Sequence, residues 1–365
     1  MSARTVNQGG TTPPDYGSLN AAVAASTAAD TIEIQGTWSA DDTAGVTWNV
    51  AVIVTADSSA KQIGRPWASG DTHYRLRPTS GHVFTVTADV DLTNIDVQSE
   101  SSGVSDELFR AAANYNATFT NCMLGFTGNV DQQDVWYTDA TGTKTLNFIQ
   151  CFFYDVGRSI VDQWNGGEGG TFTINFNSCG SYNIGANGAR EDGSWGGFAT
   201  TASGDTIDVN AHNCLMHHSD VNVFAASSSN PTINVDGHYC LISTASGSLA
   251  LFTDTEVDTG SGYSYVWGTT TAGGLEVLLT NLTSGTYNPA LVDDTTNNDA
   301  QTFHTTVTSA GLTIPTLDII GQERDKASPS FDVGPYALTL AAGGAGTWPK
   351  GPLSRLFLKP FGGPI

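Results

Sequence analysis

Basic residues are scarce. The 365-residue chain carries 14 Lys+Arg against 36 Asp+Glu, a formal net charge of −22. A surface of that sign repels phosphate backbones, so nucleic acid is excluded as a partner of the body. Glutamate is scarce as well, with 8 Glu against 28 Asp. Asp belongs to turns where Glu belongs to helices, so a helical protein is excluded. Long apolar runs are missing: no window approaches the roughly 18 consecutive apolar residues of a membrane span. Met1 to Gly10 (MSARTVNQGG) lacks the apolar core of a secretory signal.

What remains is rich in Thr, Val, Asn and Gly, with apolar runs of three to six residues between turn residues. That pattern predicts an all-β chain of short strands and frequent turns, long enough to bury a sizeable core.

The five cysteines are odd in number and cannot all pair. Their contexts repeat: Phe119-Thr120-Asn121-Cys122, Phe148-Ile149-Gln150-Cys151, Phe176-Asn177-Ser178-Cys179, Ala211-His212-Asn213-Cys214 and Gly237-His238-Tyr239-Cys240. Alternating apolar residues lead into each, as in Phe172/Ile174, Ile207/Val209 and Ile233/Val235. An aliphatic residue takes the cysteine slot in Leu92-Thr93-Asn94-Ile95 and Leu279-Thr280-Asn281-Leu282. The reference positions 95, 122, 151, 179, 214, 240 and 282 are separated by 27, 29, 28, 35, 26 and 42 residues. A repeat of this length in an all-β chain predicts a solenoid, and most intervals are too short for propeller blades of about 40–50 residues. A parallel β-helix fits, its coils about 4.8 Å apart. Cys122, Cys151, Cys179, Cys214 and Cys240 then form a buried column of free thiols, since in-register side chains point in parallel. Asn94, Asn121, Asn213 and Asn281, one residue before the reference positions, suggest a partial Asn ladder. Ahead of the repeats, Ser18 to Ala25 predicts a short helix capped by Ser18, closing the solenoid end. Asp30 to Trp38 predicts a strand ending at a Gly turn.

Two segments resemble a known family. Tyr16-Gly17-Ser18-Leu19-Asn20-Ala21-Ala22-Val23, with Asp30-Thr31-Ile32-Glu33-Ile34 and Gly36-Thr37-Trp38, resembles the first turn of right-handed parallel β-helix proteins of the pectate-lyase-like superfamily. Asp318-Ile319-Ile320-Gly321-Gln322-Glu323-Arg324, followed by Phe331-Asp332-Val333-Gly334-Pro335-Tyr336, is similar to the closing signature of many phage and bacterial members. The resemblance implies a single-stranded right-handed parallel β-helix with an N-terminal capping helix over 15–336. An N-terminal arm (1–14) precedes it and a C-terminal cap or docking arm (337–365) follows. It implies no single activity, because this fold hosts lyases, hydrolases, adhesins and virion spikes.

The lyases of that family use an Arg or Lys base with acidic Ca²⁺ ligands, and its hydrolases use clustered Asp. Between Glu191 and Glu323 there is no Lys or Arg, although 15 acids fall there. Arg158 and Arg190 are the weak candidate catalytic bases, each beside acids and more readily read as a surface ion pair or turn bond. Asp254, Glu256 and Asp258 share one side of a strand and could hold Ca²⁺, supply paired carboxylates, or form a solvated face. His212 and His238 occupy equivalent slots two residues before the reference cysteines and could share a transition metal. That slot alternates with the inward cysteine, so it is expected to face outward. Trp136, Trp164 and Trp195 are expected in loops between coils, where they could pack locally or stack on sugars. No cofactor is implied beyond Ca²⁺.

Residues 337–365 contain no acid and place Lys350, Arg355 and Lys359 among Trp348, Leu353, Leu356, Phe357, Leu358 and Phe361. A basic and apolar arm of this kind suits a cap or docking onto an acidic neighbour, another copy of the body included. The expectation is a non-enzymatic virion protein: a spike, fibre or capsid-decoration subunit. It would act outside the cell as a homo-oligomer, trimers included, with other virion proteins or a surface glycan as partners and no membrane association. A polysaccharide lyase or glycoside hydrolase and a secreted adhesin are the alternatives.

Overall fold

The computed structural model describes residues 2–12, 15–64, 70–103, 106–127, 133–140, 142–164, 170–184, 195–199, 205–212, 214–218, 224–226, 232–238, 240–244, 257–258 and 266–268. Among them the chain is almost all strand, arranged in three sheets, with a single short helix. No helix among the described residues is long and apolar enough to cross a membrane.

Sheet A contains the strands with the clearest alternation. It runs through Thr31–Ile34, Val52–Ala56, Val90–Thr93, Ala117–Thr120, Lys144–Ile149, Gly170–Asn177, Asp205–His212, Thr232–His238 and Val257–Asp258. Ala3–Val6 and the pair Asp15–Tyr16 and Thr11–Thr12 complete its N-terminal edge. Sheet B holds Arg75–Leu76, Asp96–Ser99, Met123–Phe126, Phe152–Val156, Gly180–Ile184, Leu215–His218, Cys240–Thr244 and Val266–Gly268. Sheet C holds Val46–Trp48, Phe84–Val86, Phe109–Ala111, Trp136–Thr138, Val161–Trp164, Gly196–Ala199 and Phe224–Ala226. Strands pair in parallel throughout, apart from the antiparallel contact of Thr11–Thr12 with Asp15–Tyr16. From Val90 to Ala226 the chain visits A, B and C in rotation, each strand pairing with the third strand after it. One such round is called a circuit below.

The register bears out the cysteine repeat. Asp96, Met123, Phe152, Gly180, Leu215 and Leu241 are successive partners across sheet B, which makes 95, 122, 151, 179, 214 and 240 equivalent. The seventh position is corrected: Val266, not Leu282, lies opposite Cys240, and Leu282 is outside the described residues. Earlier circuits, unseen in the repeat, pair Thr31 with Ile53 and Val54 with Leu92.

The bend between sheets A and B explains the residues at each repeat. Asn94, Asn121, Gln150 and Ser178 have φ of 64°, 52°, 54° and 56°. Asn tolerates this left-handed region better than other residues with a side chain, which accounts for its preference here. Asn121 Nδ2 donates to Asn94 Oδ1 at 3.3 Å, one step of the expected ladder. Immediately after the bend Cys122, Cys151, Cys179 and Cys214 are buried and free of disulfides, as expected. Each thiol donates to a main-chain carbonyl of the preceding circuit, three residues before its reference position: Leu92, Phe119, Phe148 and Phe176, at 3.5, 3.4, 3.2 and 3.5 Å. A small side chain with a weak donor fits a crowded corner that holds a carbonyl.

Inside, the rings stack in columns. Phe119, Phe148 and Phe176 lie at centroid separations of 5.0 and 5.3 Å with near-parallel planes. Phe84, Phe109 and Trp136 form a second stack at 4.5 and 5.9 Å. Trp136 and Trp164 are therefore corrected from loop residues, whereas Trp195 does lie at a bend. Trp136 and Trp164 belong to sheet C strands and Trp195 immediately precedes one. Trp136 and Trp195 are fully buried, Trp195 packing edge-on against Phe153 and Phe176.

The helix is where the sequence puts it. Leu19–Ala24 is capped by Ser18, whose Oγ accepts from Ala21 N at 3.3 Å, and it buries Leu19, Ala22 and Val23 against the first strands. The strand Thr31–Ile34 ends before Gly36, whose φ of 81° makes the turn.

Candidate functional site

Arg158, the leading catalytic candidate, lies inside an ion-pair network. It follows the sheet B strand Phe152–Val156 and precedes Val161–Trp164 of sheet C. Its Nε donates to Asp134 Oδ1 at 3.1 Å, and its Nη2 bonds both Asp134 Oδ2 and Asp162 Oδ2. Arg158 is 7% exposed and Asp134 is fully buried, so the surface ion pair expected from sequence is corrected to a buried one. The partners also differ from the neighbouring Asp155: Asp134 lies one circuit earlier.

Asp134 belongs to a column formed at the approach to sheet C. Phe84, Phe109, Trp136 and Val161 are register partners, which aligns His82, Glu107, Asp134 and Ser159 two residues before them. Glu107 Oε2 lies 2.6 Å from His82 Nδ1, and Glu107 Oε1 lies 3.3 Å from Arg110 Nη1. Asp134 Oδ1 also accepts from Ser159 N at 3.0 Å. Burial raises the Asp134 carboxyl to about 6, the neighbouring Arg158 opposing and Glu107 reinforcing the shift. Beside this column, on the outward face of sheet C, the Arg110 guanidinium lies 4.2 Å from the Tyr137 ring centroid. Tyr137 OH donates to Asp139 Oδ1 at 2.5 Å, and Arg110 Nη2 donates to Asp139 Oδ2 at 2.8 Å.

A second polar cluster, unseen in the sequence, covers the outward side of sheet B. Asp96 accepts from Tyr154 OH at 3.1 Å and lies 3.1 Å from His73 Nε2. All three are buried. Tyr154 reaches Asp96 from two circuits away because the intervening residue is Gly125. A Cβ there would lie 2.4 Å from Tyr154 O and 2.6 Å from its ring. Burial and the adjacent Asp96 charge push the Tyr154 hydroxyl well up. Arg75 bonds Asp41, and Arg77 bonds Asp41 and Glu100. With Arg4–Asp30, every arginine among the described residues is ion-paired to a carboxylate.

His212 and His238 are register partners on adjacent strands, but His212 is 4% exposed, which corrects its expected solvated setting. Asp258 lies opposite Asn234 in sheet A. Asp254, Glu256 and Arg190 are outside the described residues, as are Trp348, Lys350, Arg355, Leu356, Phe357, Lys359 and Phe361. Among the described residues no group of three or more His, Cys, Asp or Glu could hold a metal ion.

From Ala117 to Asn210 the outward positions of sheet A are mostly polar and partly buried. Asn147 Nδ2 donates to Thr118 Oγ1 at 3.3 Å, Asn175 Nδ2 to Asn147 Oδ1 at 2.8 Å and Asn210 Nδ2 to Asn175 Oδ1 at 2.8 Å. This amide ladder lies four residues before the reference positions and is distinct from the expected one at the bends. The sequence signal was the Asn at the same offset in three successive repeats. No protein-family model, curated protein or solved structure matches the chain.

Proposed function

We propose that the chain is a non-enzymatic structural subunit whose three-sheet body is a right-handed parallel β-helix, of the kind used in virion spikes, fibres or capsid decoration. The observation that carries this reading is the state of the cations. Each described arginine is paired to at least one carboxylate, and the span from 191 to 323 has no Lys or Arg. An Arg or Lys serving as the base for cleaving an acidic glycan must be directed at substrate and not locked in ion pairs, and a polyanion needs compensating charge along its track. Arg158 instead neutralises two buried carboxylates, a structural task. The acid-free segment 337–365 supplies the charge that such a body lacks, and suits association with copies of itself or with other particle proteins.

The test compares the full chain with residues 1–336 by gel filtration with light scattering and circular dichroism. The full chain should be a homo-oligomer, and the shortened chain a folded monomer. Release of reducing or unsaturated ends from alginate, pectin or host glycans, lost in a folded Arg158→Ala variant, would overturn the reading in favour of glycan cleavage.

A further inference from the structure

We propose that the outward face of sheet A, over its last four strands, is the seat of the 337–365 segment of a second copy. This rests on the assembly reading above and names the surface it uses. The strands Gly170–Asn177, Asp205–His212, Thr232–His238 and Val257–Asp258 contain no Lys or Arg. Their register puts Thr145, Thr173, Asp208, Asn234 and Asp258 at equivalent positions on successive strands, and Thr145, Thr173 and Asp208 are partly exposed. Asn147, Asn175, Asn210 and Asp236 form the next such set. Asp208, Asp236 and Asp258 thus fall on three consecutive strands, each about 4.8 Å from the next. That is within one screening length of about 10 Å at 0.1 M salt, so the three charges act together on a docked cation.

The arm matches this face in sign. Lys350, Arg355 and Lys359 carry +3 with no acid between 337 and 365, against the three Asp at these register positions. The amide ladder uses one N–H of each Asn along the column, and a side-chain amide has a second. It therefore offers donors and acceptors to the main chain of a docked segment. At the border of this face, on the adjoining strand Lys144–Ile149, the partly exposed Ile149 offers an apolar contact. A second copy is the occupant because copies with a net charge of −22 repel one another, and the acid-free arm is the element that reverses the sign at their contact.

The experiment installs a photo-crosslinking residue at Thr173 in the full chain, with Thr85 on the outward face of sheet C as control, in a mixture of ¹⁴N- and ¹⁵N-labelled protein. Crosslinks from position 173 to peptides of 337–365, with mixed isotope composition, are expected, and none from position 85. Asp208→Lys with Asp236→Lys should weaken association roughly tenfold or more. Combining them with Lys350→Glu, Arg355→Glu and Lys359→Glu should restore it. Oligomers that crosslink elsewhere, or only within one copy, overturn this docking surface and leave the assembly reading standing. A monomeric full chain overturns both.

Discussion

Gly125 shows how one missing side chain shapes a surface layer. The Tyr154 ring lies across it to bond Asp96, so Gly125→Ala forces the ring or the strand to move. A loss of about 1–3 kcal/mol is expected from overpacking, read as a lower urea midpoint, and an unchanged midpoint would refute the geometry. Asp134 carries a pH signature. Its folded carboxyl titrates at about 6, above the ordinary 3.8, so the native state holds the proton more tightly than the unfolded chain. That contribution to stability is fully present below about pH 4 and is lost as pH rises through about 6. Asp30 has the opposite sign. Main-chain donors from Thr27 and Ser2 lower it to about 2, so its contribution is present above about pH 4 and lost as pH falls through about 2. Urea midpoints between pH 4 and 7 should therefore vary less with pH in Asp134→Asn than in the parent chain.

At the scale of elements, the cysteine column is the most informative feature. Its thiols are buried and bonded to carbonyls of the preceding circuit, and burial pushes the Cys122 and Cys151 thiols well above their usual range. Cys122, Cys151, Cys179 and Cys214 should resist a thiol reagent in native buffer and react in guanidinium. Rapid native labelling of any of them would contradict the packing. The column was legible because cysteine is rare and four of its five copies follow strands of six to eight residues, long enough to alternate. Sheet C was not, because its strands of three to four residues are too short to show alternation. Its tryptophans consequently looked like loop residues. Leu282 was mistaken for the next repeat because Leu-Thr-Asn-Leu imitates the motif, whereas the strand Val257–Asp258 carries no such mark. The polar clusters were hidden for another reason. Asp134 and Arg158 are 24 residues apart, and Asp96 and Tyr154 are 58 apart. Such pairs can be named only after the register is known.

For the whole molecule, charge is the organising quantity. The described arginines are absorbed by carboxylates within the body, and the sequence from 191 to 323 has no Lys or Arg. In the proposed assembly the acid-free segment 337–365 is the counterpart of that acidic stretch. Association should therefore weaken with added salt, as contacts between exposed charges are screened. Sedimentation equilibrium of the full chain, at low and high salt, tests this most directly. The account predicts a mass that is a multiple of 38.2 kDa at low salt and falls toward the monomer as salt is raised. A monomer under all conditions would contradict it.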